Sequence, residues 1–136
     1  MAIANNEIQV QWSSANSVSV SAGGSQTSDA FSFSATAFDA MVTLKADNNG
    51  TPASGDRVEI YALQSCGDPD GASATEYPAG AGDGVLLAVL DTYANDPMIK
   101  TVSLPVAAPY LKIFAKNNAA SNAITVSACI NEKTSS

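Results

Sequence analysis

Apolar and polar residues alternate with a period of two along most of this sequence. Ile8, Val10 and Trp12 are separated by glutamines, and the same spacing recurs within residues 18–20, 31–34, 42–45, 58–63, 111–113 and 124–130. Residues two apart lie on the same face of an extended strand, so each run predicts a half-buried strand. Two further apolar runs, residues 85–90 and 98–104, bring the expectation to about nine strands.

Turn-forming residues separate these runs and exclude a helical fold. Clusters of Asn, Asp, Gly, Ser and Pro lie at residues 48–56, 66–71, 95–97 and 117–118, and such residues favour turns. Helical spacing is not sustained, although residues 86–93 have room for one or two turns. The pattern predicts an all-β fold, an antiparallel β-sandwich or jelly roll of about eight to nine short strands. We expect one domain over residues 1–136, with residues 1–25 forming an N-terminal arm or a first hairpin.

The charge balance argues against two classes of partner. The net charge of the 136 residues is −7, and Arg57 is the only arginine. Binding to phosphates or to anionic lipids needs clustered Lys and Arg, so neither nucleic acid nor a membrane surface is expected. The first residues show neither the basic region nor the apolar region of a signal peptide. We therefore expect synthesis in a cytoplasm, or prior removal of a signal.

The residues needed for common catalytic sites are missing. The chain has no histidine, which excludes Ser-His-Asp and Cys-His nucleophilic sites. Most acidic residues are expected singly in turns, at Asp47, Asp56, Asp83 and Asp96. Glycine-rich phosphate-binding motifs do not occur. We predict no enzyme activity, no catalytic residue and no cofactor.

One acidic cluster raises the possibility of calcium. Asp68, Asp70 and Gly71 lie close in sequence to Glu76 and Asp83, and carboxylate oxygens on a loop suit Ca²⁺. The spacing does not match an EF-hand loop, and Asp-Pro-Asp-Gly is also a typical turn sequence. We interpret these residues as a turn and predict no metal site.

The two cysteines are too few for a disulfide framework. Cys66 and Cys129 belong to no C-x-x-C motif, which excludes the usual zinc and thioredoxin-like sites. One disulfide remains an alternative, but we expect two free thiols in a reducing compartment.

Several aromatic and apolar residues bear on binding. Trp12 continues the apolar face of Ile8 and Val10, so it is expected in the core, whereas Tyr77 and Tyr93 are expected to be exposed in loops. Two scattered tyrosines do not predict a sugar site. Strands 57–63 and 110–116 are apolar on both faces, because Tyr61, Leu63 and Phe114 fall on the second face. We expect that face to meet a neighbouring subunit, or alternatively a loop of the same chain.

Residues 39–130 resemble small virion proteins of tailed bacteriophages. The matching elements are a Val-Thr-Leu-Lys strand, a Gly-x-Pro turn, a Val-Glu-Ile-Tyr strand, an Asp-Gly loop, a Leu-Leu strand and a late Lys-Ile strand followed by Asn-Asn, at residues 42–45, 50–52, 58–61, 68–71, 86–88 and 109–118. Residues 1–30 carry no part of the resemblance.

The resemblance implies a capsid decoration (cement) protein. Such a protein is a homotrimeric β-sandwich that binds the major capsid protein outside the phage head and resides in the virion. A tail-fibre or receptor-binding module that binds carbohydrate is the alternative.

Overall fold

Ten strands form two antiparallel sheets that pack face to face. A computed structural model describes residues 2–72 and 74–136. In chain order the strands are β1 (Ile3–Gln9), β2 (Val18–Val20), β3 (Ser25–Thr27), β4 (Phe31–Ser32), β5 (Ala37–Asn48), β6 (Arg57–Ser65), β7 (Val85–Asp91), β8 (Met98–Ser103), β9 (Tyr110–Asn117) and β10 (Ile124–Ser135). A single 3₁₀ turn, Ala81–Asp83, is the only helical element among the described residues. The predicted antiparallel β-sandwich is confirmed.

Each sheet is built around its longest pairings. In sheet 1, β10 pairs with β5 on one side and with β1 and β2 on the other, and β8 pairs with the far side of β5. In sheet 2, β9 pairs with β6 on one side and with β3 and β4 on the other, and β7 pairs with the far side of β6. The connections β2–β3 and β7–β8 cross between the sheets at opposite sides of the sandwich.

The inner faces of the two sheets form the core that the period-two pattern predicts. On β10 the inward residues Ile124, Val126 and Ile130 are fully buried, as are Leu111 and Ile113 on β9. Burial of each such side chain contributes roughly 1.5–3 kcal/mol. Residues between them on the same strands face outward and are only partly buried, so the sequence pattern identified the core correctly.

The first 25 residues depart from the expected arm or hairpin. β1 and β2 lie end to end along β10, with Gln9 opposite Cys129 and Val18 opposite Val126. Residues 10–17 leave this edge in a tight turn that places Trp12 in the core with 3% of its surface exposed. The prediction that Trp12 lies in the core is therefore confirmed, although Trp12 lies beyond the end of β1.

One strand was not expected from the sequence, and another resolves an open alternative. β3, with the sequence Ser-Gln-Thr, was not expected, because its three residues are polar and exposed and have no alternation. Backbone pairing with β9 places it at the sheet edge. Residues 85–90 were expected as a strand, with room for a helical turn over 86–93; the strand expectation is confirmed, because residues 85–91 pair with β6.

Candidate functional site

The outer face of sheet 2 is covered in part by the chain itself, around Leu63, Lys112 and Phe114. The covering segment, residues 66–84, connects β6 to β7 and folds back over this face. Leu63 points outward from β6, yet only 2% of its surface is exposed. Leu63 and Lys112 line one groove with Tyr77, Pro78 and Gly80 of this segment. Gly84, which directly precedes β7, lies beside Leu63, and a Cβ atom there would be 2.9 Å from Leu63 Cδ2.

For Leu63, this packing decides between the two alternatives for the second apolar face. Leu63 contacts the covering segment of its own chain rather than requiring a neighbouring subunit. Tyr61 and Phe114 are half-buried and pack edge to face, with ring centroids 6.2 Å apart. The hydroxyl of Tyr61 donates a hydrogen bond to Glu59 Oε1 at 2.9 Å, and this bond to a carboxylate raises the pKa of Tyr61. The expectation that all three residues meet a neighbour is wrong for Leu63.

A groove remains between the covering segment and sheet 2. Its volume is about 590 Å³, and its lining includes Thr27, Thr75, Glu76, Tyr77 and Lys112. Lys112 Nζ lies 4.5 Å from the centroid of the Tyr77 ring, a distance typical of a cation–π contact. Partial burial raises the pKa of Tyr77. Tyr77 was expected to be exposed, but the groove half-buries it, whereas Tyr93 is 59% exposed as expected.

The covering segment brings three acidic residues together. Carboxylate oxygens of Asp68, Asp70 and Glu76 lie within 4.8 Å of one another, and Asp83 does not join them. The turn interpretation is supported by local hydrogen bonds: the Asp70 amide donates to Asp68 Oδ1 at 3.2 Å, and the Ala72 amide donates to Asp70 Oδ1 at 3.1 Å. Spacing alone did not reveal that Glu76 folds back to this turn.

The outer face of sheet 1 is bare. Side chains of β5 and β10 alternate between buried and exposed along 12 residues each, and none of the described loops packs over the outward set. We call this surface the open face. Its outward residues come from β1, β10, β5 and β8 and are mostly small or polar: Ile3, Asn5, Glu7, Gln9, Thr125, Ser127, Cys129, Asn131, Lys133, Asp39, Met41, Thr43, Lys45, Asp47, Ile99, Thr101 and Ser103.

A depression lies near the middle of the open face. It has a volume of about 540 Å³, and Met41 and Cys129 are in its lining together with Glu7, Thr101 and Lys133. Met41 is 45% exposed, and Cys129 is partly buried. Burial, followed by a hydrogen bond to Glu7 and its charge, raises the pKa of the Cys129 thiol.

The two thiols lie in different parts of the sandwich and are not bonded to each other. Cys66 is exposed at the start of the covering segment, beyond the end of β6, whereas Cys129 belongs to the open face on β10. Only Cys129 therefore lies on the open face, and Cys66 is a thiol away from it.

Several residues of the virion-protein resemblance have structural roles. The Asn117 side chain is fully buried and donates to the carbonyl oxygens of Val20 and Asn122 at 3.0 and 2.9 Å. A Cβ at Gly50 would lie 2.7 Å from Asn122 Oδ1, so this position needs glycine. These residues build one end of the sandwich and do not form a ligand site.

Asp56 lies at the same end of the sandwich, and its position differs from the sequence expectation. It was expected as a single turn residue, but it is 97% buried. Its Oδ2 accepts hydrogen bonds from the Ala53 amide at 3.0 Å and from Asn48 Nδ2 at 3.1 Å. Asp96 accepts a bond from the Asn48 amide. Asp47 lies on the outward side of β5 rather than in a turn.

Comparisons with known proteins identify no family. No protein-family model and no curated protein matches the chain. A carbohydrate-binding module of family 29 is similar in structure at 8% identity, with a TM-score of 0.47 over 96% of this chain and 77% of that one. The protein FlhE matches at 12% identity, with a TM-score of 0.41 over 99% of this chain and 97% of that one. Latent PorU from Porphyromonas gingivalis matches at 10% identity, with a TM-score of 0.46 over 97% of this chain and 12% of that one. The described residues contain no helix that is long and apolar enough to cross a membrane.

Proposed function

We propose that this chain is a non-catalytic structural protein of a virion, of the capsid decoration type, that binds the outside of a phage head in many copies. The observation that carries the proposal is the bare outer face of sheet 1, on a sandwich whose other outer face is partly covered by its own chain. The resemblance of residues 39–130 to phage virion proteins supports it from the sequence.

The open face has the size and composition of a protein interface. From the lengths of its four strands, with a rise of about 3.3 Å per residue and a spacing of about 4.8 Å, it covers roughly 590 Å² in projection. A standard interface buries about 800 Å² of accessible surface on each partner. The face carries three carboxylates (Glu7, Asp39, Asp47) and two lysines (Lys45, Lys133). Its net charge is therefore −1, whereas the net charge of the whole chain is −7. Low net charge suits an interface, since charged residues are depleted at interface centres.

Self-association as a homotrimer is part of the proposal. The sandwich has free edges at β1, β7 and β8, and unpaired strand edges favour contact with another chain. Val85 and Leu86 on β7 are 46% and 52% exposed. Contact between copies along such an edge covers these side chains and adds avidity to head binding.

Heads produced with and without the gene for this chain test the function. We expect purified protein to sediment as a trimer, and to bind isolated heads in many symmetric copies seen by electron microscopy. Heads lacking the protein should break at a lower temperature. Absence of the protein from the heads, with intact head stability in the deletion, would contradict the proposal.

The alternative is a receptor-binding module of a tail fibre that binds carbohydrate. The groove beside Tyr77 favours it, because an aromatic ring flanked by Thr75, Glu76 and Lys112 offers both a stacking surface and hydrogen-bonding groups. Immunogold labelling of virions separates the two functions: label at the tail tip, with glycan binding that is lost in Tyr77→Ala, would favour the alternative. Label over the head surface favours decoration.

A further inference from the structure

We infer that the chain docks by its open face, with the central depression receiving an apolar side chain of the partner protein and the covering segment pointing to solvent. This inference rests on the proposed function and adds to it the docking surface, the orientation and the chemistry of the contact. The partner is a protein surface of mixed charge, which under the proposed function is the capsid shell.

The depression has the arrangement of a binding hot spot. Its apolar lining comes from Met41 and the Cys129 thiol, and polar groups of both signs, Glu7 and Lys133, stand beside them. Energetically dominant contacts in interfaces are pockets of this kind, filled by one anchor and surrounded by polar contacts that exclude water. Met is also enriched in interfaces relative to the remaining surface.

The position of the depression agrees with this role. Thr43 and Cys129 are register partners on the two central strands, and Thr101 on β8 is the next partner across. The depression therefore has strands of sheet 1 on both sides. A partner side chain placed in it would be shielded from solvent by the surrounding open face. Exposed Ile3 and Ile99, at 58% and 56%, lie toward the periphery of the same face and extend the contact area.

The charge distribution indicates which side points to solvent. The covering segment carries four carboxylates, Asp68, Asp70, Glu76 and Asp83, and no Lys or Arg. Close contact of such a segment with another protein has a large desolvation cost unless each charge is paired. The open face has two lysines for its three carboxylates, so a partner with a few charges of each sign can match it.

The two thiols allow the orientation to be measured directly. Free protein and protein bound to purified heads are treated with a maleimide at mildly alkaline pH, and modification of each cysteine is followed by mass spectrometry. We expect both thiols to react in the free protein. On heads, Cys129 should react at least about tenfold more slowly while Cys66 reacts at an unchanged rate, since a hot-spot contact excludes solvent.

Each outcome has a defined meaning. Failure of the protein to bind heads contradicts the proposed function itself. Binding with Cys66 protected and Cys129 reactive leaves the function standing and overturns the inference. Protection of Cys129 in the free protein, increasing with concentration, means that a second copy covers the open face and also overturns it.

A matched pair of surface variants provides an independent measurement. Met41→Asp places a charge in the depression, and Tyr93→Asp places one at a site of 59% exposure away from the open face. Both positions are exposed, so both variants should fold with native circular dichroism and unchanged thermal midpoints. We expect Met41→Asp to weaken head binding at least about tenfold and Tyr93→Asp to leave it within about twofold. Unchanged binding of folded Met41→Asp would exclude the depression as the contact.

Discussion

At the scale of single residues, buried polar groups organise this fold as much as apolar ones. Glu132 is 98% buried, and its carboxylate accepts hydrogen bonds from the amide and hydroxyl of Ser34. Asn117 and Asp56 are similarly satisfied at the other end. The exception is Trp12, whose Nε1 finds no acceptor among the described residues. Buried polar groups are stabilising only when paired, so these partners specify how the loops meet the sheets.

Removal of the Asp56 carboxylate tests that role. In Asp56→Ala the Ala53 amide and the side chains of Asn48 and Asn122 lose an acceptor. An unsatisfied buried donor costs roughly 1–3 kcal/mol, so we expect the free energy of unfolding in urea to fall by about 3 kcal/mol. The control is Asp47→Ala on the open face, which should change it by less than about 0.5 kcal/mol. Equal effects of the two variants would contradict the structural role of Asp56.

The Cys129 thiol provides a pH-dependent prediction. Burial raises the pKa of Cys129, and Glu7 raises it further by a hydrogen bond and by its charge, which reduces the reactive thiolate at a given pH. Glu7→Gln removes the charge, so the pKa should fall and maleimide labelling of Cys129 should become faster near pH 8. The sign follows because a carboxylate disfavours a nearby thiolate. Labelling of Cys66 in the same sample is the internal control, and a slower or unchanged rate at Cys129 would exclude this coupling.

At the scale of elements, the covering segment is the feature that makes the two sides of the sandwich different. It lies against β6 and β9 through Leu63, Phe114 and Lys112. Contact this close depends on the lack of a side chain at Gly84, where the backbone reaches the side chain of Leu63. At Gly80, where φ is +70°, glycine is also favoured because other residues rarely adopt that conformation.

Two glycines in the segment form a matched test. A Cβ at Gly84 would overlap Leu63, whereas a Cβ at Gly82 would meet nothing within 4 Å. We expect Gly84→Ala to lower stability by about 1–3 kcal/mol through overpacking and to make residues 66–84 more sensitive to limited proteolysis. Gly82→Ala should match the parent protein in both assays. Equal protease sensitivity of the two variants would show that the segment does not rest on β6 as described.

The acidic turn of the same segment gives a metal prediction. Because Asp68 and Asp70 accept backbone hydrogen bonds as turn residues, we expect the thermal midpoint to be the same with EDTA and with millimolar calcium. A midpoint that falls in EDTA, recovers with calcium and loses this response in Asp70→Ala would establish a calcium site instead.

At the scale of the whole molecule, the distribution of surface properties supports a binding role. The covering segment on one side is acidic, and the open face on the other side carries mostly small or polar side chains around a central depression. An asymmetric sandwich of this kind can be fixed to a surface on one side and remain soluble on the other.

We also expect the whole molecule to be without enzyme activity. The chain has no histidine, and the carboxylates of Asp68 and Asp70 accept hydrogen bonds within a turn. A screen of purified protein against ester, glycoside and phosphate substrates should give no turnover above the buffer. Turnover that survives repurification and disappears in Glu76→Gln would contradict this expectation.

The sequence by itself determined the class of fold and most of the core. Alternation along β5, β6, β9 and β10 is a local property, because residues two apart in an extended strand share a face whatever the strand pairs with. It therefore located the buried residues, and it placed Cys129 on the outward side of β10. Trp12 was assigned to the core for the same reason, although the chain turns to bring it there.

Tertiary structure alone decided how the faces are used. From the sequence, Leu63 and Phe114 are surplus apolar residues on the second face. The covering segment contacts them through Gly84 and Gly80, which are 21 and 34 positions away in sequence. Pairing made a strand of Ser25–Thr27, which has no apolar signal, and folding brought Glu76 back to Asp68. The open face likewise combines outward residues of four strands from both ends of the chain. Strand register and loop packing determine which residues become neighbours in this way. Both depend on contacts between residues that are distant in sequence, and no local sequence pattern contains that information.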